Sequence, residues 1–412
     1  MNQLCLRVFA ISWLASSYAS AANGSFDAAI DVTAAQGKHV FHHLESAGRK
    51  NVVAQDGLVA VTWEDNRDGA PRCYFTAKTA SGAAFLKDVQ ISGKDDCYEP
   101  SITALGAQKF AVAWEENGRV LVRLIALSGE NIAQGEATAL SDKESSQASL
   151  GSEGDSLYAA WAEKEGHYSR IHIARLAANK SELQINQRAL PDATPLKDDQ
   201  LYPSIAPGPN GEVAVAWEDR RNGHTLILHA FSSDGKKFEP WHQVNETQNV
   251  VAPATTSSNR TLGRGPGAMR AALARRDDKR LTITWLDKRD FLSGYDVYAA
   301  FSDNGGRTFG PNQKVQDSFG DTFAQWHTAI AAHGDRLVAA WDDDRDGTAD
   351  VWISWQEGNA WADNIAPKPA SGPGAQSDPS IAIDEHGDLH LIWVDRQETD
   401  GPTRLRYVRG QK

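Results

Sequence analysis

Cysteine is scarce in this sequence of 412 residues, which contains three, and no two of them form a Cys-x-x-Cys pair. Zinc knuckles and covalently attached haem both require closely spaced cysteines, so the sequence indicates neither group, and we expect no cofactor. Beyond the N-terminal segment no apolar run is long enough for a membrane-spanning helix, and the mean hydropathy is -0.47. The same region lacks the 3.6-residue periodicity of amphipathic helices, which argues against a mainly helical fold.

Basic residues are outnumbered as well, because 42 lysines and arginines stand against 54 aspartates and glutamates, for a net charge of -12. Proteins bind nucleic acids largely by neutralising phosphates with basic side chains, so we expect no nucleic-acid partner. A carbohydrate or a small anionic ligand remains compatible with this composition. The sequence identifies no protein partner.

The N-terminal segment has the features of a secretory signal peptide. Arg7 supplies a positive charge, residues 8–14 form a short apolar run, and Ala19-Ser20-Ala21 fits a cleavage site. We therefore predict a signal peptide over residues 1–21, a mature chain over residues 22–412, and export to the periplasm or the medium.

Two cysteines, Cys73 and Cys97, remain after the predicted cleavage. Export to an oxidising compartment favours a disulfide between them, and the alternative is a pair of buried thiols. Such a bridge would join neighbouring repeats and contribute roughly 3 kcal/mol to stability.

One pattern recurs seven times: an apolar run that ends in tryptophan and is followed by a polar turn, acidic in most copies. The spacings between successive tryptophans are 51, 47, 56, 68, 56 and 52 residues. A period near 50 residues is typical of a propeller or a solenoid, and a large aromatic ring at one repeated site indicates packing between units. The seven tryptophans are Trp63, Trp114, Trp161, Trp217, Trp285, Trp341 and Trp393.

Each repeat is predicted to contain four short strands, A to D, and strand B shows the clearest alternation of side chains. The sequence therefore predicts an all-β fold, a single seven-bladed β-propeller of four-stranded blades. We place the blades near residues 40–94, 95–142, 143–192, 193–246, 263–318, 319–370 and 371–409. The last repeat ends after strand C, and we expect an N-terminal strand over residues 28–32 to complete it and close the ring.

One segment, residues 247–268, interrupts the regular spacing and is rich in proline, glycine, serine, threonine and asparagine. Long loops of this kind are usually functional or disordered. We expect this loop, with Arg260 and Arg264, to lie over one mouth of the propeller channel.

Residues 302–309 match the pattern S-x-D/N-x-G-x-T-W/F and resemble the Asp-box of sialidases and related BNR-repeat proteins, and residues 232–238 resemble a degenerate copy. The resemblance implies a sialidase-like propeller, with the Asp-box as a C–D turn on the face away from the active site. Most members of that family have six blades, so a six-bladed propeller is the alternative to the seven counted here.

The resemblance also implies a type of active site, in which three arginines hold a sugar carboxylate, a Tyr/Glu pair is the nucleophile, and an aspartate is the acid/base. Bidentate arginines suit a planar carboxylate, and an oxocarbenium-like transition state needs an anionic partner and a proton donor. Arg49 and Arg270 begin strands A of their repeats and match two of the arginines. Tyr202 and Glu99 are the candidates for the nucleophile pair.

Different polar residues occupy one equivalent position, the start of strand A, in the seven repeats. Because a closed ring directs these positions toward its axis, we predict a pocket there. Its predicted catalytic residues are Glu99, Tyr202, Asp378 and His327, and its predicted substrate-binding residues are Arg49, Arg270, Trp326 and Arg264. The equivalent position of the third repeat is Gln147. The alternative is a water-filled channel whose polar groups satisfy one another.

The acidic turns after the tryptophans carry a repeated Asp/Arg pair, which we interpret as structural because a catalytic residue is rarely needed five times. One of these turns, Asp342-x-Asp344-x-Asp346-Gly347, resembles the start of a calcium loop, but Ile353 stands where such a loop requires glutamate, so we predict no metal site. The pairs are Asp65/Arg67, Asp219/Arg221, Asp287/Arg289, Asp343/Arg345 and Asp395/Arg396.

His39, His42 and His43 form a separate cluster, which we assign to an entry strand or a surface loop.

Taken together, the sequence predicts an exported sialidase-like propeller that recognises, and perhaps hydrolyses, a glycan or other anionic ligand at the axial mouth. A non-catalytic binding or scaffold propeller is one alternative. The other is a polysaccharide lyase that uses His327, Tyr202 and Arg270, since a lyase needs a base beside a neutralised carboxylate.

Overall fold

The computed structural model of the protein describes residues 25–45, 47–106, 108–179, 182–246, 267–289 and 294–411. The predicted signal peptide, Arg260 and Arg264 lie outside the described residues. No helix in the described part of the chain is long and apolar enough to cross a membrane. The short helical segments there are 3-10 turns at Pro209–Gly211, Gly320–Thr322 and Lys368–Ala370.

The chain folds into seven antiparallel sheets, which we number as blades I to VII in chain order, and each has its strands in the order A, B, C, D. Strands A of successive blades contact one another, and strand A of blade VII contacts that of blade I, so the blades form a closed ring. This arrangement confirms the predicted seven-bladed β-propeller and excludes the six-bladed alternative.

Strands A and B form the inner half of every blade. Strands A of blades I to VII are His42–His43 with Val52–Gln55, Cys97–Ala104, Ser145–Glu153, Gln200–Pro207, Ala268–Arg275, Trp326–His333 and Ala375–Ile383. Strands B are Leu58–Asp65, Lys109–Glu116, Ser156–Glu165, Val213–Asp219, Leu281–Asp287, Arg336–Asp343 and Leu389–Arg396.

Strands C and D form the outer half. Strands C are Arg72–Thr79, Arg119–Ser128, Tyr168–Asn179, Leu226–Ser232, Asp296–Ser302, Asp350–Glu357 and Thr403–Gly410. Strands D of blades I to VI are Val89–Gln90, Asn131–Gln134 with Thr138–Ala139, Glu182–Ala189, His242–Gln243, Gln313–Lys314 and Ala360–Trp361.

Blade VII receives its outer strand from the N-terminal segment, as predicted. Ile30–Asp31 pairs antiparallel with strand C of that blade, and Ile30 lies opposite Tyr407. The pairing continues on both sides, because the Val32 N–H donates to the Leu405 carbonyl and Phe26 forms a bridge with Gly410. The ring is thus closed by backbone hydrogen bonds between the two ends of the described chain, which leaves no unpaired sheet edge there.

The repeated tryptophans are fully buried, and each packs in an apolar cluster with the preceding blade, with Trp63 packing against blade VII. A buried indole N–H needs an acceptor, and in blades I to VI the acid two residues later supplies one. The Trp63 N–H, for example, donates to Asp65 at 2.8 Å. The other bonds join Trp114 to Glu116, Trp161 to Glu163, Trp217 to Asp219, Trp285 to Asp287 and Trp341 to Asp343.

The same acids bind the turn arginines in four blades, which is the structural role predicted for them. The ion pairs are Asp65–Arg67, Asp219–Arg221, Asp287–Arg289 and Asp343–Arg345. Each of these guanidinium groups also lies over an aromatic ring, as Arg345 does over Trp352.

The fifth predicted pair, Asp395/Arg396, was wrong. Gln397 rather than arginine stands two residues after the acid, and it donates to Asp395 together with Gln376. Arg396 is one position too early to reach back, and it donates to the Thr399 carbonyl instead.

A disulfide joins Cys73 on strand C of blade I to Cys97 on strand A of blade II, with their Cα atoms 5.7 Å apart.

Residues 302–309 form the C–D turn of blade V, where the Ser302 hydroxyl accepts from the Gly306 N–H and Asn304 Oδ1 accepts from the Thr308 N–H. These side-chain hydrogen bonds hold a tight turn at the face opposite the loops that follow strand B.

Candidate functional site

The start of strand A carries a β-bulge in six of the blades, and at each bulge one non-glycine residue has a positive φ. The six residues are Glu99, Gln147, Tyr202, Arg270, His327 and Asp378, with φ between 47° and 61°. A bulge re-aims a side chain, and left-handed backbone at non-glycine residues is concentrated at functional sites. The same bulge therefore places these six residues at equivalent positions at the mouth.

Side-chain oxygens hold four of these bulges by accepting a hydrogen bond from the N–H of the positive-φ residue. In three cases the acceptor is the carboxylate directly after the tryptophan of the preceding blade. The pairs are Gln147 with Glu115 at 2.5 Å, Arg270 with Glu218 at 2.8 Å and Asp378 with Asp342 at 3.1 Å. In the fourth, Gln147 Oε1 accepts from the Tyr202 N–H at 2.8 Å, since alanine follows Trp161.

These carboxylates were missed by the sequence analysis, which treated the acids after each tryptophan as one group. The two positions differ in function. The second acid is present in every blade and in most of them binds the indole, whereas the first is acidic only in blades I, II, IV and VI. This uneven occurrence was the available signal for residues that face the mouth.

Blade I replaces the bulge with a longer excursion, whose described residues are 44–45 and 47–50, between the two halves of its strand A. The Ala47 N–H donates to the Thr328 carbonyl of blade VI, and the Ser149 hydroxyl of blade III donates to the Gly48 carbonyl. A Cβ atom on Gly48 would lie 2.4 Å from the Pro203 carbonyl oxygen of blade IV. The excursion therefore crosses the channel and closes it below the mouth; we call residues 44–45 and 47–50 the plug.

Arg49, on the plug, is completely buried and is held by two carboxylates. Its Nη2 lies 2.6 Å from Glu45 Oε2, and its Nε lies 3.2 Å from Glu99 Oε2. Despite the cost of burial, these carboxylates raise the pKa of Arg49 above its usual range. The Arg49 guanidinium carbon is 5.1 Å from the centre of the Tyr202 ring, and that of Arg270 is 3.7 Å from it. Two predicted arginines thus meet at the predicted tyrosine.

Glu99 and Glu115 form a pair of neighbouring carboxyl groups beside this group. Burial, together with the charge of Glu99, raises the pKa of Glu115 to about 8. Burial also raises the pKa of Glu99, although Arg49 opposes that change. Near neutral pH the pair therefore retains a proton, because two adjacent carboxylates in a desolvated site do not both ionise easily.

A cavity of about 460 Å³ opens onto the carboxyl pair. Its lining residues are His43, Glu45, Glu64, Tyr98, Glu99 and Glu115. His43 is exposed, and the Glu64 carboxylate, 3.8 Å from its Nδ1, raises its pKa to about 9. The imidazole assigned to an entry strand from the sequence is thus also a cation on the cavity wall at neutral pH.

His327 lies between two aspartates on another side of the mouth. Its Nδ1 is 2.7 Å from Asp342 Oδ1, and its Nε2 is 3.3 Å from Asp378 Oδ1. Burial opposes protonation, but the hydrogen bond with Asp342 outweighs it and raises the pKa of His327 to about 9. His327 is therefore a proton donor rather than a base at neutral pH.

Aromatic rings border the same side. The Trp326 side chain is 43% exposed, and its ring centre lies 5.4 Å from that of Tyr295. An exposed indole is suited to stacking on the apolar face of a sugar ring.

Asp342, which resembled a calcium ligand in sequence, is hydrogen-bonded to His327, and no cluster of metal-ligating side chains occurs in the described part of the chain.

Carboxyl groups outnumber cations at the mouth. The carboxyl groups are Glu45, Glu64, Glu99, Glu115, Glu218, Asp342 and Asp378, and the cations are His43, Arg49, Arg270 and His327. Each of these cations has an acidic neighbour. The mouth therefore offers many hydrogen-bonding groups and little uncompensated positive charge.

Comparisons with known proteins support the fold. No protein-family model and no curated protein matches the sequence. The chain is similar to the structure of the polysaccharide lyase Uly1, with 8% identity over 88% of this chain and 90% of that one and a TM-score of 0.57. A puromycin-hydrolyzing peptidase of Mycobacterium tuberculosis is 13% identical over 95% of this chain and 55% of that one, with a TM-score of 0.51.

A mutant Trypanosoma rangeli sialidase with trans-sialidase activity is 11% identical over 93% of this chain and 57% of its own, with a TM-score of 0.48. Arabinofuranosidases of Fusarium graminearum also occur among the similar structures. At these identities, the likeness to the two structures with TM-scores above 0.5 supports the fold alone.

Proposed function

We propose that the protein is an exported glycan-binding propeller that hydrolyses a glycosidic bond at the mouth. The observation that carries this proposal is the carboxyl pair Glu99/Glu115, which keeps a proton near neutral pH and faces a cavity of about 460 Å³. Glycoside hydrolysis needs a carboxylic acid that remains protonated at working pH in order to protonate the leaving oxygen. The disulfide is consistent with an oxidising compartment.

Glu115 is the proposed general acid, and Glu99 is the partner that keeps the proton on it. Tyr202 is the proposed nucleophile, because its ring lies beside the two arginines of the mouth, 5.1 Å from the Arg49 guanidinium carbon and 3.7 Å from that of Arg270. Trp326 would stack on a sugar ring, and His327 with Asp378 would bind sugar hydroxyls across the mouth.

The mouth differs in one respect from the sialidase site implied by the sequence resemblance. Arg49 is already bound by Glu45 and Glu99, so of the two predicted arginines only Arg270 is proposed to meet a carboxylate on a sugar. We therefore propose sialidase-like tyrosine chemistry that does not depend on an arginine triad, and neutral glycosides belong in the first assay beside sialosides.

The test is turnover of fluorogenic sialosides, arabinosides and other glycosides by the mature protein. With Glu115→Gln we expect a loss of about 100-fold or more, the usual scale for a general acid. Glu153→Gln is the matched control, because Glu153 is exposed at the far end of a strand A. If the folded wild type hydrolyses none of the panel, the binding or scaffold propeller becomes the better assignment, and a glycan array is the next measurement.

A polysaccharide lyase is the second candidate, favoured by the placement of Tyr202 near two guanidinium groups. Arg270 would neutralise a uronate carboxylate and Tyr202 would remove the adjacent proton, whereas protonated His327 would act as the acid. The fold shared with a polysaccharide lyase is compatible with this candidate. Incubation with uronate polymers should then produce ultraviolet-absorbing unsaturated ends, and the product should disappear with Tyr202→Phe.

A further inference from the structure

A second cavity lies in the channel beyond the plug, toward the face opposite the mouth. It has a volume of about 170 Å³ and is lined by the C-terminal halves of strands A. Most of its lining side chains are small or aliphatic, among them Ala54, Ala104, Ala274 and Ala331. One buried water needs about 10–15 Å³ of such volume, so there is room for a polyatomic ion with waters.

Two cations line this cavity, Lys50 and Arg275. In the described part of the chain no hydrogen bond or ion pair reaches the Lys50 ammonium, and burial lowers its pKa. The Arg275 guanidinium is bonded to backbone carbonyl oxygens, including those of Pro207 and Asp278, and burial lowers its pKa as well. Neither positive charge is therefore neutralised by a contacting acid.

The lining residues that the structure describes include no aspartate or glutamate. Their remaining polar groups are the hydroxyls of Thr103 and Ser152, which lie 3.1 Å apart, and the amide of Gln55. The Ser152 hydroxyl donates to the Ala104 carbonyl, which leaves the Thr103 hydroxyl to donate to Ser152. Both cations are half-buried, and a cation held partly away from water without a counter-charge is costly, so an ion that supplies the charge lowers that cost. The cavity thus combines two cations with the amide donor of Gln55.

We propose that this cavity is a binding site for a small inorganic oxyanion of the phosphate or sulfate type, with the Lys50 ammonium as its principal contact. The anion would lie among several blades. Lys50 belongs to the plug of blade I, and Thr103, Ser152 and Arg275 lie on strands A of blades II, III and V. Its binding would stabilise the ring, because a ligand bound only by the folded state raises stability by mass action. This proposal is independent of the chemistry at the mouth.

The experiment is a titration of the mature protein with phosphate and with sulfate at constant ionic strength, followed by thermal unfolding and by calorimetry. We expect a saturable rise in Tm and a measurable binding isotherm. Lys50→Met should weaken the affinity by about tenfold or more, as expected for loss of a charged donor, while Lys50→Arg should retain binding. Lys87→Met is the matched control, because Lys87 is exposed and outside the cavity.

The outcomes separate the site from general salt effects. Sulfate and phosphate stabilise most proteins by exclusion from the surface, but that effect does not saturate and would be equal in wild type and Lys50→Met. Equal responses in the two proteins, or no saturable response in the wild type, would overturn the proposal. Saturable binding of chloride that is lost in Lys50→Met would also overturn the assignment to an oxyanion.

Discussion

Glu115 and Glu99 lie on adjacent strands of blade II, and their carboxyl groups are neighbours in the mouth of the propeller. Glu115 also accepts a hydrogen bond from the Gln147 N–H of blade III, at 2.5 Å. One carboxyl group therefore holds the bulge of a neighbouring blade and retains an exchangeable proton. This relationship couples the stability of the ring to the protonation of the site.

We expect this coupling to appear in the pH dependence of unfolding. Folded Glu115 keeps its proton up to about pH 8, whereas an ordinary glutamate releases it near 4.5. Between these values the folded state binds more protons than the unfolded state, so stability falls as the pH rises. Glu115→Gln should remove this contribution and flatten the curve, measured by urea unfolding across the window. Glu153→Gln should retain the wild-type slope, and parallel curves for wild type and Glu115→Gln would contradict the assignment.

The acids that bind the buried tryptophans allow a comparison within one molecule. Asp343 accepts from the Trp341 N–H and pairs with the fully buried side chain of Arg345, whereas Asp395 at the equivalent place in blade VII binds glutamines. Asp343→Ala should cost about 3 kcal/mol, because the buried guanidinium loses the closer of its two carboxylates and keeps that of Asp317, at 3.4 Å. Asp395→Ala should cost about 1 kcal/mol, the scale of neutral hydrogen bonds. Chemical denaturation of both variants checks the order, which a larger loss in Asp395→Ala would refute.

Much of the architecture could be predicted because it repeats. The spacing of the tryptophans determines the number of blades, and the truncated last repeat indicates the N-terminal strand that completes it. The positions of Glu99, Tyr202 and Arg270 at the start of strand A could also be predicted, since equivalence in a ring places them near one axis.

Features that occur once could not be predicted in the same way. The plug is an insertion in blade I alone, and no periodic signal in the sequence shows that it turns into the channel. Its consequence, the burial of Arg49 against Glu45, depends on contacts with blades that are distant in sequence. The role of Glu115 was missed for a related reason: its raised pKa arises from burial and from Glu99, which only the folded sheet brings close.

The disulfide between Cys73 and Cys97 should stabilise the junction of blades I and II. The two cysteines are 24 positions apart in the sequence. A bridge that closes a loop of this size restricts the unfolded chain, so removing it should lower the free energy of unfolding by about 3 kcal/mol. The double variant Cys73→Ala/Cys97→Ala should therefore unfold at lower denaturant concentration than the oxidised wild type. The reduced wild type should resemble the double variant, and identical midpoints for oxidised and reduced protein would contradict a stabilising bridge.

The plug provides the most direct test of how the mouth is assembled. A Cβ atom on Gly48 would approach the Pro203 carbonyl oxygen to 2.4 Å and the Ser204 Cα to 2.6 Å, and neither backbone atom can rotate away. Gly48→Ala should therefore shift the plug and destabilise the protein by about 1–3 kcal/mol, the usual cost of overpacking. Because Arg49 follows directly, the same variant should weaken ligand binding or turnover at the mouth. Gly37→Ala is the control, since the added methyl group would meet only Val40 at an ordinary 3.6 Å. Equal stability and equal activity of the two variants would show that the channel tolerates a wider plug and that Arg49 is not positioned by it.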